Sequence, residues 1–288
     1  MNKVLLVLLN TILPERLLSR LVGHLTRMRL PKWILRPFLR WYIRHFNVNL
    51  SEAARPLEEY ETIVDFFTRH LKKDARSIDS DPESVVSPVD GAVYACGPIE
   101  KDTFIHAKGH PYTLQELLGD DEAIAPFLNG TFFTIYLSPR DYHRIHTPYD
   151  GTIQSFCYVP GKLLPVNPPS VEMFPKLFAI NERLTTFFSH ESSASFAVVK
   201  VGATNVGRIR LSYDDYVTNR WGGAHKTIRE YTDGVPVNKA DEIGMFEMGS
   251  TVILLFSPDF ELDTFEPDTP MRLGQRIGTL ANPAKVLD

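Results

Sequence analysis

The feature that most constrains the fold is a long series of short β-type runs that begins near residue 84. Runs such as TFFTIYL, GTIQSFCYV, SFAVVKVGAT and STVILLF are rich in β-branched and aromatic residues, and Pro, Gly, Asn and Asp separate them. This texture predicts strands joined by turns. Helical patterns do not alternate with the runs as a parallel sheet would require, and only YTLQELLG, at 112–119, predicts a short helix among them. We therefore expect a largely antiparallel β body.

The residues before this series have a helical character. Apolar side chains recur through 51–75, which predicts a helix, and Ser51 is placed to cap its start. Nearer the beginning, one face of a helix is formed by Leu17, Leu21, Leu25 and Met28. The sequence thus predicts an α+β protein, with amino-terminal amphipathic helices in one region, 1–75, and a β-rich domain, 76–288.

Charge is distributed unevenly along the chain. The net charge is −4, yet residues 1–46, the arm, contain nine Lys or Arg and a single acid, so the arm carries +8 and the remainder −12. The apolar run at 4–13 has ten residues, about half of the roughly 20 that a spanning helix needs. Basic residues interleaved with Trp33, Trp41 and leucines are typical of a helix that lies in a membrane interface.

We therefore expect the arm to contact an anionic membrane surface. The alternative is an arm that packs on its own body and exposes a solvated basic face. Nucleic acid is disfavoured as a partner, because the arm is too apolar and the body is acidic.

Three turn-like segments carry candidate catalytic side chains. SPVDG, at 87–91, places Asp90 in a turn, and YLSPRDYHRIHTPYDG, at 136–151, places His143 and His146 three residues apart after a predicted strand. In FEMGSTVILLF, Ser250 follows Gly249 just before an apolar strand. An Asp that orients a His, which in turn removes a Ser proton, is the arrangement of an activated hydroxyl. Ordinary turn chemistry is the other interpretation of each segment.

The same residues argue against metal chemistry. Two histidines three apart could begin a metal site, but third and fourth ligands are missing, and Arg140 and Arg144 disfavour a cation. The chain also lacks a P-loop, a dinucleotide fingerprint, HExxH and a CxxC pair. Two other functions stay open from the residues alone. One is a serine hydrolase, which would lack the usual G-x-S-x-G elbow, and the other is a membrane-bound β scaffold without catalysis.

Several segments, in this order, resemble the bacterial, prokaryotic-type phosphatidylserine decarboxylases, a pyruvoyl-dependent family. SPVDG is similar to the family's aspartate segment, YLSPRDYHRIHTP to its histidine segment, and MGST, at 248–251, stands where the family usually has its LGST cleavage motif. GKLLPVNP, NERLTTFF and VGATNVGRI are also similar. Two positions depart from the family pattern: Met248 replaces the common Leu, and Ala240 stands where glycine is frequent.

The resemblance implies a proenzyme, or zymogen, that cleaves itself between Gly249 and Ser250. Ser250 would attack the carbonyl of Gly249, with His146 as the base and Asp90 orienting it. The products would be fragments 1–249 and 250–288, which stay associated, and a covalent pyruvoyl group derived from Ser250 as the cofactor.

The resemblance further implies a carboxy-lyase of phospholipid biosynthesis. The pyruvoyl carbonyl at 250 would form a Schiff base with the amine of phosphatidylserine, CO2 would leave, and phosphatidylethanolamine would be released. His143 is the candidate proton donor. The expected location is peripheral, on the cytoplasmic face of the inner cell membrane. A homo-oligomer and the roles of Lys162 and Asn167 in the 161–168 loop stay open.

Overall fold

The computed structural model describes residues 22–106, 110–204, 208–219, 224–247 and 251–281. Helices dominate its first part and strands its second, and every strand pairing is antiparallel. The predicted α+β class, with amino-terminal helices before a largely antiparallel body, is confirmed.

The described residues form a helical segment at 22–27 and then five labelled α-helices. These are α1 (Lys32–Phe46), α2 (Ile63–Phe67), α3 (Leu114–Leu118), α4 (Pro168–Met173) and α5 (Leu177–Ile180). Helix α3 confirms the short helix predicted at 112–119. A reciprocal capping box between Thr113 and Glu116 starts it, and Gly119, at φ 65°, ends it.

The prediction of one helix through 51–75 is wrong. The segment forms 3₁₀ turns at Leu50–Glu52 and Leu57–Glu59, and only then α2. Pro56 disfavours helical geometry in the residue before it, which interrupts the pattern. Thr62, rather than Ser51, caps the α-helix, because its hydroxyl accepts the Asp65 N–H at 3.0 Å.

Sixteen strands lie within the described ranges. They are β1 (Ser84–Val86), β2 (Gly91–Pro98), β3 (Thr103–His106), β4 (His110–Thr113), β5 (Thr131–Tyr136), β6 (Arg144–His146), β7 (Gly151–Val159), β8 (Arg183–Ser189), β9 (Ser195–Val201), β10 (Ile209–Leu211), β11 (Thr227–Val237), β12 (Glu242–Phe246), β13 (Thr251–Phe256), β14 (Phe260–Leu262), β15 (Pro270–Met271) and β16 (Arg276–Leu280).

The core is built on an eight-stranded sheet in the order β11-β7-β8-β9-β13-β5-β2-β15. All six residues of β13 are buried, which explains why TVILLF reads as a continuous apolar run instead of an alternating one. Smaller sheets, β10-β12-β6 and β1-β16-β14, and the β3-β4 hairpin complete the body. The strand β13 therefore has a partner on each side, with Thr251 opposite both Tyr136 and Val201.

Helix α1 has two contrasting faces. Leu35, Leu39 and Tyr42 are buried in a small helical core, whereas Trp33 is 77% exposed and Trp41 49% exposed. Within the described residues, no helix is both long and apolar enough to cross a membrane. The apolar run at 4–13 and the residues Leu17 and Leu21 lie outside the described part of the chain.

Candidate active site

The two histidines are carried by the loop that follows β5 and by β6 itself. The Asp141 carboxylate closes this loop, because Oδ2 accepts the N–H and the hydroxyl of Ser138, both at 2.7 Å. Burial raises the pKa of Asp141, and the hydrogen bonds from Ser138 partly oppose that rise. The loop that presents His143 and His146 is therefore fixed by its own side chains.

His143 is fully buried beside the ring of Phe67, with ring centroids 4.0 Å apart. Its Nδ1 lies 2.8 Å from the Asp141 carbonyl oxygen, which can only accept, so Nδ1 carries the proton. Burial, reinforced by the Arg69 charge, lowers the pKa of His143 to about 3, although the Asp141 carbonyl opposes this. The ring is thus neutral at pH 7. Its Nε2 is buried and has no hydrogen-bond partner among the described residues.

His146 is held in a similar way by a different carbonyl. Its Nδ1 lies 2.8 Å from the carbonyl oxygen of Ala240, so the lone pair is again at Nε2, 3.4 Å from the Tyr142 hydroxyl. Burial lowers the pKa of His146, which keeps the ring neutral near pH 7. Ala240 has a φ of 68°, a left-handed conformation that favours glycine. Ala240 is one of the two positions at which the sequence departs from the family pattern, which frequently has glycine there.

Asp90 lies close to His146, but its carboxylate points to other partners. The Arg76 guanidinium binds both carboxylate oxygens, with Nε 2.8 Å from Oδ1, and the Leu273 N–H donates to Oδ1 at 2.9 Å. The neighbouring Pro88 carbonyl accepts the His146 N–H at 3.0 Å. The structure therefore brings the Asp90 turn against β6. Among the described contacts it does not pair the Asp90 carboxylate with the His146 ring, so Asp90 as the orienting residue stays a prediction.

Met248, Gly249 and Ser250 lie outside the described residues, whereas the residues on both flanks of this segment are described. The Phe246 N–H donates to the His143 carbonyl at 3.0 Å. On the other side, Thr251 starts β13 in the middle of the sheet. Convergence of Ser250 with the histidines remains a prediction that these flanks support.

Hydrogen bonds connect the helical region, residues 22–75, to the histidine loop, residues 137–143, and to the strand β6 that follows it. The Tyr42 hydroxyl donates to the Pro139 carbonyl at 2.7 Å, and Arg69 Nη2 donates to the Arg140 carbonyl at 2.9 Å. In the opposite direction, Arg144 Nε donates to the Thr68 carbonyl at 2.9 Å. Each region thus supplies an arginine that donates to a backbone carbonyl of the other region.

Sequence reasoning missed Arg69, Arg76 and Tyr142. Two of them had a usable signal: Arg69 lies two residues after the apolar pair Phe66–Phe67, and Tyr142 lies four residues before His146. Arg76 had none, because its pairing with Asp90 depends on the fold.

Two residues of the 161–168 loop, Lys162 and Asn167, make hydrogen bonds that stabilise the local structure. The Asn167 side chain caps α4 by accepting the Ser170 N–H at 3.1 Å, and the Lys162 backbone bonds to Ile180 and Glu182. Across the described residues, no group of three or more His, Cys, Asp and Glu is arranged to hold a metal ion.

Comparison with known proteins places the chain in a family. A family model described as phosphatidylserine decarboxylase matches residues 63–279, and a second, described as PSD, matches 5–47. The phosphatidylserine decarboxylase proenzyme of Myxococcus xanthus is 44% identical over 282 residues, which cover 97% of this chain and 100% of that protein. The proenzymes of an Anaeromyxobacter strain, 44% identical over 98% of this chain and 100% of its own length, and of Stutzerimonas stutzeri, 41% identical over 98% and 96%, are similar along their whole lengths. The chain belongs to the phosphatidylserine decarboxylase family.

Proposed function

We propose that this chain is a carboxy-lyase that converts phosphatidylserine to phosphatidylethanolamine and CO2, after cleaving itself between Gly249 and Ser250. Family membership supports the decarboxylation, and the relatives' description as proenzymes supports a processed precursor. The observation that carries the chemistry is the state of His146, a half-buried, neutral ring whose Nδ1–H is fixed by a carbonyl and whose Nε2 can accept a proton.

In the self-cleavage step, the Ser250 hydroxyl attacks the carbonyl carbon of Gly249 while its proton passes to Nε2 of His146. The peptide C–N bond between Gly249 and Ser250 then breaks, and the nitrogen of Ser250 takes the proton from His146. The two residues are now joined by an ester. β-Elimination then moves the Ser250 α-proton to a base and breaks the Cβ–O bond, so that the Gly249 carboxylate leaves and dehydroalanine remains at 250. Its enamine becomes an imine, and water hydrolyses the C=N bond to a ketone and ammonia.

These steps would leave a pyruvoyl group at 250, which is the cofactor proposed for this chain. When formed, that group supplies a carbonyl electron sink for the electrons released as CO2 departs. Replacing a carboxylate by hydrogen consumes one proton per turnover, so a group able to take and deliver a proton is needed. His143 supplies a buried Nε2 that has no partner among the described residues, while its Nδ1–H is held by Asp141.

The strand pairing supports an association of the two fragments after cleavage. Residues beyond the proposed cleavage site form β13, which lies between β9 and β5, and also β16, which pairs with β1. Strands of the small fragment therefore pair with strands of the large one. Separation of the fragments would expose β13, which is fully buried.

We propose a peripheral location on the cytoplasmic face of the inner membrane, and the exposed face of the arm supports the contact with a membrane surface. Large apolar side chains project from the arm into solvent, namely Leu25, Met28, Trp33, Ile34, Phe38 and Trp41. Exposed cations, including Arg29, Arg40 and Arg44, lie on the same stretch of chain. Such a surface buries its apolar face at a bilayer boundary and attracts anionic lipid, the charge class of the substrate.

An intact mass spectrum of the purified protein, paired with an assay of CO2 release, tests the proposal. The wild type should give two fragments, 1–249 and 250–288, with the smaller blocked at its amino end by a keto acyl group. Ser250→Ala should remain one chain and release no CO2. Ser80→Ala, at an exposed position, is the matched control and should behave as wild type.

The competing functions give different results. A serine hydrolase would be an intact chain with esterase activity that Ser250→Ala removes. A non-catalytic scaffold would be unaffected by Ser250→Ala in every measured property. An active wild type that is one uninterrupted chain would overturn the proposal.

A further inference from the structure

Arg69 is an unusual cation for a protein interior. It is 4% exposed, and no carboxylate lies within ion-pairing distance of it among the described residues. Its Nε and Nη1 have no hydrogen-bond partner there either, although the guanidinium carbon lies 5.5 Å from the centre of the Phe66 ring. Buried charges are ordinarily paired because desolvation is costly. The position therefore needs a reason beyond stability.

The side-chain hydrogen bonds that Arg69 makes within the described residues both go to the backbone just before His143. Its Nη2 donates to the Arg140 carbonyl at 2.9 Å and approaches the Asp141 carbonyl at 3.4 Å. The Asp141 carbonyl is the acceptor that holds Nδ1–H of His143 at 2.8 Å. One guanidinium thus braces two successive peptide carbonyls, the second of which fixes the tautomer and orientation of the His143 ring.

We propose that Arg69 is a positioning residue for the decarboxylation step, which acts on His143 through the Arg140 and Asp141 carbonyls. This inference rests on the proposed function. It assigns to the helical region a part in the chemistry of the β body, because Arg69 follows α2 whereas His143 precedes β6. Self-cleavage, which is assigned to His146 and its Ala240 carbonyl, does not depend on this brace.

The charge of Arg69 gives a second readout. The groups that act on the His143 ring are the Phe67 ring of α2, the Asp141 carbonyl of its own loop and the charge of the Arg69 guanidinium. Burial is the larger cause of the lowered pKa of His143, and the Arg69 charge adds to it. Removing that charge should therefore raise the pKa of His143 from about 3 toward the ordinary value of 6.5.

Arg55 is a matched control in the same region. Its guanidinium lies 4.5 Å from the centre of the Tyr60 ring and pairs with Asp65, so it too is a cation over an aromatic ring of the helical core. None of its contacts among the described residues reaches the histidine loop. Arg69→Gln, Arg69→Lys and Arg55→Gln are compared in mixed micelles of phosphatidylserine and neutral detergent, with CO2 release and self-cleavage measured for each.

Arg69→Gln should be cleaved into two fragments as wild type is, with kcat lowered about 10- to 100-fold and KM within about threefold. Arg69→Lys should be similarly slow, because an ammonium cannot reproduce a planar fork. Added guanidinium ion at a non-denaturing concentration should restore part of the kcat of Arg69→Gln. Arg55→Gln should stay within about twofold of wild type.

Titration of the imidazole ring by NMR in a Ser250→Ala background gives the second readout, with a raised pKa of His143 expected in Arg69→Gln only. A kcat for Arg69→Gln equal to that of Arg55→Gln, or a raised KM with unchanged kcat, would overturn the proposal. If Arg69→Gln does not fold, the kcat of Arg69→Lys tests the proposal instead. A wild-type kcat in Arg69→Lys would contradict a positioning role for the guanidinium. Failure of wild type to cleave or to release CO2 would instead refute the proposed function.

Discussion

The helical region, residues 22–75, and the β body that follows it each bury an apolar core, but they present opposite surfaces. In the body, the central strand β13 is buried along its whole length, between two partner strands. In the helical region, α1 buries Leu35 and Leu39 while Trp33 and Trp41 of the same helix face solvent. The body buries most of its large apolar side chains and exposes scattered ones such as Ile228, whereas the helical region has one face on the body and the other in solvent.

This difference separates the tasks of the two regions without isolating them. The neutral histidines belong to the body, and the free apolar surface belongs to the helices. Hydrogen bonds and ion pairs join the two, from Tyr42 and Arg69 to the histidine loop and from Arg27 to Glu247 at 2.6 Å. The helices and the loop that carries His143 therefore meet at a hydrogen-bonded contact between the two regions.

The largest effect should come from the two histidines of the body, and it should differ between them. His146→Ala removes the proposed base for self-cleavage and should slow fragment formation about 10²- to 10⁴-fold. His143→Ala should still cleave but lose decarboxylation by a similar factor, because its Nε2 faces no other described partner. Gel electrophoresis and CO2 release separate the two outcomes. Equal loss of cleavage in both variants would contradict the division of roles.

A pair of core truncations compares the two cores directly. Leu254→Ala, in the middle of β13, should lower the free energy of unfolding by about 3–5 kcal/mol, because strands on both sides prevent collapse of the cavity. Leu39→Ala should cost less, about 2–3 kcal/mol, because its smaller core borders solvent and can relax. Urea unfolding followed by circular dichroism, in a Ser250→Ala background that keeps one chain, measures both. A larger cost for Leu39→Ala would reverse the comparison.

The free face of the helices should matter for lipid and not for folding. The double variant Trp33→Ala/Trp41→Ala should weaken binding to phosphatidylserine-containing vesicles by about 2–3 kcal/mol, since two large side chains lose burial at the interface. Vesicle sedimentation measures this, and self-cleavage should be unchanged. Ile228→Ala, which removes an exposed apolar side chain from β11, is the control and should leave binding unaltered. Loss of self-cleavage in the double variant would show that these tryptophans also serve the body.

The two regions also differ in how far the sequence predicts them. Local signals located β5, β7, β9, β13 and α3 well, since alternating or continuous apolar runs and a Thr-Glu capping box act over a few residues. The single helix at 51–75 was wrong because Pro56 and the Thr62 cap outweighed apolar spacing. Strand β11 was missed because its exposed, polar face resembles a loop.

Within the site, the candidate histidines were found, but their partners were not. The Ala240 carbonyl lies 94 residues from His146 along the chain, and the Arg69 guanidinium 71 residues from the Arg140 carbonyl. No local pattern encodes such pairings, since they exist only once β6 and β12 pair and the helices pack on the loop. The residue types identified His143 and His146 as candidates, whereas only the fold shows which carbonyls fix their rings.

The smallest expected effect lies at the carbonyl that holds His146. Ala240, at φ 68°, adopts a left-handed conformation that costs an L-residue about 1–2 kcal/mol, whereas glycine adopts it freely but loses about 0.5–1 kcal/mol of chain entropy. Ala240→Gly should therefore stabilise the protein by up to about 1 kcal/mol, with the rate of self-cleavage unchanged because the carbonyl stays in place. Ala123→Gly, at a half-buried position of ordinary φ, should destabilise instead. A loss of stability in both variants would show that the body holds His146 without backbone strain.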